Sequence, residues 1–445
     1  MEKIVVNGGK KLTGRIGVSG AKNVALKTLV AACLTDEQVV IKNVPLISDF
    51  MVMVAIIREL GGEVKIEDHT AYIRMKKFKT DKITLNEAAK IRTSVMFLSP
   101  LLTRLGRAII PNPGGCRIGA RPIDRTVKGL RKMGFEAFYN SKDGYYYFKK
   151  NNNKKNDSIV TYRFEKSTHT GTETLIMAAV VGKGKTILEN AACEPEIDEL
   201  IALLVQMGAK IKKIEYRRID ITGVEKLHSA EFTIGIDRNE IVTIAAAAIL
   251  TKGDIFVKQA NDVDLSAFLE NLDEAGGGIA KKDNGIRFYY KGPLKSVDVE
   301  TSSYPGFMTD WQGPWAVLMT NARGDAIIHE TVYENRFGYV KELKKMGANI
   351  ISFNPDVKNP GEVYSFNLSD NNPAYFHAIE VKGPTQLHSG VVEISDLRAG
   401  ATLVLAALSA TGESAILGAE HLDRGYERLE ERFSSLGADI KRVKK

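Results

Sequence analysis

The residues best equipped for chemistry lie in the run Pro113-Gly114-Gly115-Cys116-Arg117-Ile118-Gly119-Ala120-Arg121-Pro122. A thiol stands among glycines and two arginines, with proline at either end. Cationic neighbours favour the thiolate, and glycines let backbone amides close on an anion, so the stretch suits work on a phosphorylated or carboxylated substrate. A Gly/Pro turn that happens to hold a cysteine is the competing reading. Ser19-Gly20-Ala21-Lys22-Asn23 reads as a serine-capped helix start carrying a lysine, which is either an anion site or an ordinary cap. Arg92, Asp310, Asp396, Arg398, Asp423 and Arg424 lie in or beside helical segments of small residues. Any one of them suits a solvated ion pair, but recurrence at equivalent points of a repeat favours convergence on one cleft.

Two other patterns carry less. Val181-Gly182-Lys183-Gly184-Lys185-Thr186 ends like a phosphate-binding P-loop, but Ala179 stands where the first glycine belongs, and the run joins a helix to a strand. The 7 histidines and 3 cysteines have no paired ligand spacing, so neither a metal site nor a disulfide framework is expected.

The elements that must position these groups repeat six times. Leu60-Gly61-Gly62, Met133-Gly134-Phe135, Met207-Gly208-Ala209, Ala275-Gly276-Gly277, Met346-Gly347-Ala348 and Leu436-Gly437-Ala438 each end an amphipathic segment and open a short alternating one. Their central glycines are 73, 74, 68, 71 and 90 residues apart. Each reads as a helix C-cap followed by a strand. Upstream of each lies a second helical segment of small residues: 20–34, 89–105, 170–181, 239–251, 313–323 and 395–410. These are expected inside, with the charged helices outside. The result is an α/β chain of two similar domains with three units each, 22–231 and 1–21 plus 232–445, in which the N-terminal strand at 3–7 and the run at 16–18 cross over to complete the second.

Length and composition agree with two large domains: 445 residues, 44% hydrophobic, 26% charged and a net charge of +8. The lysines are dispersed, without an aromatic-interleaved basic stripe, which argues for small anionic ligands and against nucleic acid. The most apolar run, 241–251, is far short of the ~20 residues that a bilayer requires. The N-terminus enters a strand pattern without an apolar leader, so a cytoplasmic protein is expected.

The segments Ser19–Asn23, Pro113–Pro122, Asn190-Ala191-Ala192-Cys193-Glu194-Pro195-Glu196, Glu334-Asn335-Arg336-Phe337, Asp396-Leu397-Arg398 and Asp423-Arg424-Gly425-Tyr426-Glu427-Arg428 together closely resemble the UDP-N-acetylglucosamine 1-carboxyvinyltransferase family. These are the enolpyruvyl transferases that commit sugar to peptidoglycan, and the resemblance spans nearly the whole chain. It implies the inside-out α/β barrel of that family, with small-molecule substrates phosphoenolpyruvate and UDP-N-acetylglucosamine, no metal or organic cofactor, and a monomer. By resemblance, Lys22, Arg121, Arg398 and Arg424 hold the phosphate and carboxylate of phosphoenolpyruvate. Cys116 is the general acid at the methylene carbon and the site of fosfomycin alkylation. Asp310 takes the proton of the sugar 3-hydroxyl. Asn23, Arg92, Arg121, Pro122, Ile123, Asp124, Arg125, Ser167, Thr168, His169, Thr170, Asp310 and Val332 contact the nucleotide sugar.

Three departures from the family pattern bear on sugar recognition. Arg125 and Thr126 replace a leucine and a histidine, His169 replaces a serine, and Met96 replaces a frequent tryptophan. They leave open enolpyruvyl transfer to another nucleotide sugar, or a non-catalytic paralogue that only binds one. The shikimate-pathway enolpyruvyl transferase, a further alternative, lacks the cysteine loop.

Overall fold

The computed structural model describes residues 2–112, 122–151 and 159–444. Two compact units divide the chain. One gathers Ile236–Lys445 with the residues up to Ser19, and the other takes the described residues between Gly20 and Gly235.

All six phrase glycines have a left-handed backbone, with φ of 104° at Gly61, 100° at Gly134, 100° at Gly208, 86° at Gly276, 92° at Gly347 and 99° at Gly437. Only glycine adopts this conformation without strain, which is why each charged helix stops there and a strand begins. The strands form five four-stranded sheets and one of three strands. In the five, an antiparallel ladder is extended by one parallel edge strand, as where Ala230–Thr233 runs beside Gln38–Lys42 and that strand pairs in turn with Thr70–Arg74. Each sheet is open, and no ladder among the described residues closes into a barrel. The barrel that the resemblance implies takes the form of separate sheets over enclosed helices.

Those helices follow from composition. Arg238–Leu250 is buried at every position, as is Gln312–Thr320. Alanine and glycine let backbones approach, and neither helix has a charged stripe to turn toward water. At Gly313 a Cβ would lie 2.2 Å from Thr402 Oγ1 on the neighbouring helix Leu397–Ser409, so glycine sets that approach. The helix starts carry the polar groups. Asp237 caps the first by accepting from Asn239 N at 2.8 Å and Glu240 N at 3.3 Å. Asp396 does the same for Arg398 N at 3.1 Å and Ala399 N at 3.2 Å.

The N-terminal residues complete sheets of the unit that holds 236–445. Lys3–Asn7 lies between Glu413–Leu417 and Asp439–Val443, antiparallel to both, and Thr13–Ile16 runs parallel to Asp254–Lys258. Ser19 is therefore not the cap of the first small-residue helix. Its carbonyl accepts from Asp237 N at 2.9 Å and its amide donates to Glu240 Oε2 at 3.0 Å. The helix Lys22–Ala32 starts after Ala21 with no side-chain cap.

Gly313→Val should lower the urea midpoint by an amount equal to about 1–3 kcal/mol, because two packed helices must part to admit the side chain. An unchanged midpoint would show that the approach of these helices is not set by glycine.

Candidate active site

In the unit 236–445 a cluster of charges forms where small-residue helices begin. Asp310 sits in the single turn Thr309–Trp311 that runs into Gln312–Thr320. One carboxylate oxygen accepts from Arg336, and the other is 2.8 Å from Arg398 Nη2. Arg336 also donates to Thr309 Oγ1 at 3.2 Å and stands 3.7 Å from Asp396. Arg398 reaches Tyr426 OH at 3.3 Å, and that hydroxyl bonds Thr243 at 2.8 Å. The two arginine side chains are 5% and 12% exposed, so the ion pairs are nearly dry and hold a fixed geometry. Burial, the largest influence on Arg398, works against its charge, but Asp310, Tyr426 and Asp237 outweigh it and leave the pKa above the usual value. Arg336 is raised in the same way, with Asp310, Asp396 and Glu330 prevailing over burial.

Glu330 anchors this cluster from below. It is fully buried, and its carboxylate accepts from Thr309 Oγ1 at 2.8 Å, Val332 N at 2.8 Å and Tyr333 N at 3.0 Å. Burial raises its pKa, with Arg336 as the main opposing charge. Val332 is thus held through its backbone. Arg424 ends the short helix Ala419–Arg424. Its neighbour Asp423 is bound by Arg442 at 2.8 and 2.6 Å, which makes that aspartate a structural group.

In the unit 20–235, Lys22 opens its helix and pairs with Asp49 at 2.7 Å, both side chains largely buried. Arg92 donates to the Pro122 carbonyl at 3.3 Å, which ties the start of the 3-10 helix Arg92–Phe97 to the chain entering the helix Asp124–Lys132. Tyr162 OH donates to the Arg125 carbonyl at 2.7 Å. Ser167 accepts from Arg217 at 3.0 Å, and Thr168 caps the helix His169–Ala179 through Gly171 N at 3.3 Å. His169 Nε2 lies 3.3 Å from Lys27 Nζ and 3.5 Å from Glu173. Lys27 and Glu173 form an ion pair inside the unit, and burial pushes the Glu173 pKa up despite His169 and Lys27. Asn23 and Thr170 are partly buried, Ile123 is buried and Pro122 is exposed. Met96 and Thr126 are buried in the core, so of the departing residues Arg125 and His169 are the ones with partly open side chains.

Cys116, Arg117 and Arg121 lie outside the described residues. Sequence reasoning missed Arg336, Glu330, Lys27 and Glu173 as members of charge networks. The signal for the last two was present: an acid and a lysine inside otherwise apolar helical runs.

The other two thiols are quiet. Burial pushes Cys33 up to about 12 and raises Cys193 as well, so both stay protonated at neutral pH. An alkylating reagent on folded protein should therefore label about one thiol quickly, and Cys116→Ala should abolish that fast phase. Two or three equally fast sites would contradict it.

The family model described as EPSP synthase (3-phosphoshikimate 1-carboxyvinyltransferase) matches residues 6–433. A Koribacter versatilis protein called UDP-N-acetylglucosamine 1-carboxyvinyltransferase is 41% identical over 447 residues, which covers 100% of this chain and 97% of that one. Proteins of the same name from Desulfatibacillum aliphaticivorans and Myxococcus xanthus are 40% and 38% identical, each with 100% coverage of both chains. Among solved structures, the enolpyruvyl transferase NikO from Streptomyces tendae superposes with a TM-score of 0.85 at 23% identity, covering 99% of both chains. An EPSP synthase from Acinetobacter baumannii gives 0.72 at 16% identity, with 100% coverage of both. These two share the fold.

Proposed function

The chain belongs to the EPSP synthase (3-phosphoshikimate 1-carboxyvinyltransferase) family, and from that premise we propose that it moves the enolpyruvyl group of phosphoenolpyruvate to the 3-hydroxyl of UDP-N-acetylglucosamine, releasing phosphate, as the first committed step of peptidoglycan synthesis. The sugar is supported by relatives near 40% identity over their full length that carry that substrate in their name. The observation that carries the chemistry is the Asp310 carboxylate held between two guanidiniums at the start of a buried helix.

In this reading Lys22, Arg121, Arg398 and Arg424 bind the phosphate and carboxylate of phosphoenolpyruvate, since a multiply charged anion needs several cations and arginine meets both groups in bidentate fashion. Cys116 delivers a proton to the methylene carbon while the sugar oxygen bonds the central carbon and gives its proton to Asp310. The resulting ketal then breaks its bond to the phosphate oxygen and returns a proton from the methyl group, restoring the double bond on the sugar. Asp310 enters the reaction ion-paired through both oxygens, and each oxygen keeps a further lone pair with which to accept the sugar hydroxyl. Arg336 and Arg398 keep the carboxylate oriented while it takes the proton. Asn23, Arg92, Pro122, Ile123, Asp124, Arg125, Ser167, Thr168, His169, Thr170 and Val332 serve the nucleotide sugar.

Purified protein should release phosphate only when phosphoenolpyruvate and UDP-N-acetylglucosamine are both present, and far less with other nucleotide sugars in a small panel. Cys116→Ala and the isosteric Asp310→Asn should each slow release by about a hundred- to ten-thousandfold, with folding checked by circular dichroism. Release that is indifferent to both substitutions would end the proposal.

A further inference from the structure

The hairpins of the repeat are not alike. Glu63–Glu67 and Thr70–Arg74 are joined by two residues, as are Lys210–Glu215 with Arg218–Thr222 and Gly278–Lys282 with Gly285–Tyr289, and four residues join Phe135–Asn140 to Tyr145–Lys150. Between Ile350–Phe353 and Ala378–Gly383 the chain instead makes an excursion of 24 residues, 354–377. This is why the last glycine spacing is 90 and the others are 68–74. A connection this much longer than its equivalents needs a physical reason, since a two-residue turn closes the same ladder elsewhere in the chain.

The excursion is clasped at its mouth and folded onto the segment that leaves the strand Gly324–His329. Asn354 accepts from His377 N at 2.9 Å and donates to the Tyr375 carbonyl at 3.2 Å. The His377 carbonyl accepts from Glu330 N at 2.7 Å, and Ser365 N donates to the Thr331 carbonyl at 2.7 Å. Tyr364, Phe366 and His377 are buried together, with Tyr364 5.0 Å from the His377 ring, 4.9 Å from Phe366 and 5.7 Å from His329. Both ring nitrogens of His377 are without hydrogen-bond partners among the described residues, so the imidazole serves there as packing. Residues 329–331 are thus fixed from the excursion's side by two backbone hydrogen bonds and a cluster of rings.

The geometry points to the 354–377 excursion as the device that positions the segment 330–333, which holds Val332, with Tyr364 and Asn354 as positioning residues that act through Glu330. From Glu330 the bonding continues without a gap. Its carboxylate holds the Val332 and Tyr333 amides and Thr309, Thr309 accepts from Arg336, and Arg336 binds Asp310. A displacement at 330 therefore reaches Val332 and Asp310 together. Both belong to the nucleotide-sugar side of the reading given above, on which this inference rests. Of the groups assigned to phosphoenolpyruvate, Arg398 meets this path at its end, through the other Asp310 oxygen at 2.8 Å, and is held separately by Tyr426 OH at 3.3 Å, while Lys22 is paired with Asp49 in the other unit.

The test compares full-length variants by steady-state kinetics with both substrates varied. Tyr364→Ala, and a chain in which 354–376 is replaced by an Asn-Gly turn, should raise the KM for UDP-N-acetylglucosamine about tenfold while the KM for phosphoenolpyruvate moves less than about twofold. Tyr364→Phe keeps the ring, loses the 3.3 Å contact of the hydroxyl with His329 Nε2, and should restore most of the ratio of the two KM values. If the shortened chain does not fold, the two Tyr364 variants decide. Equal change in both KM values, or no change in a folded Tyr364→Ala, would overturn the inference. Turnover of the wild-type protein with this sugar checks the parent reading separately. If the wild type uses another nucleotide sugar, the same ratio is measured with that one.

Discussion

Burial of helices that lack a polar face is the constraint from which the rest of each unit follows. A helix such as Arg238–Leu250, enclosed along its whole length, has no side from which a functional group could reach a ligand. Only its ends are open to chemistry, and the free N–H groups there call for carboxylate caps and attract anions. Asp237, Asp310 and Asp396 all stand at such starts, and Arg238 and Arg398 each directly follow, or follow by two residues, a capping aspartate. The charged cluster is thus where the packing leaves room for it.

Within that cluster, dryness sets the energetics. A surface ion pair is worth little, but Arg336 and Arg398 are largely enclosed and the Asp310 side chain that faces both is 19% exposed, so removing one member would strand the other. Arg336, Glu330 and Thr309 form a single hydrogen-bonded body that fixes how Asp310 is held. The buried Lys27 and Glu173 pair in the other unit has the same character, with His169 at its edge as the member nearest solvent.

Much of this was legible in the residues themselves. Runs of alanine between short apolar strands mark the inner helices, and the six glycine phrases mark where the outer ones stop, because both features follow from local sterics. The Ser19 cap misled, since a serine before a helical run looks the same whether it caps that run or pairs with residues more than two hundred positions away. Lys27 and Glu173 were illegible as a pair for a similar reason: each is conspicuous in its own helix, but a separation of 146 positions hides the contact. The motif containing Arg336 and the aspartate at 310 were both visible, yet their pairing emerges only when the turn before Gln312–Thr320 is folded. The long 354–377 connection showed only as one spacing out of step with the others.

The placement of Lys3–Asn7 in the middle of a sheet has a consequence for biosynthesis. Its two neighbours, Glu413–Leu417 and Asp439–Val443, lie more than 400 residues further along the chain. The strand must therefore wait, unpaired, while those residues are made, whereas the described strands of the intervening unit from Gly20 to Gly235 find their partners within that unit. A nascent chain stalled before residue 413 would carry an orphaned apolar N-terminal strand, the kind of exposed edge that chaperones bind and that aggregation exploits.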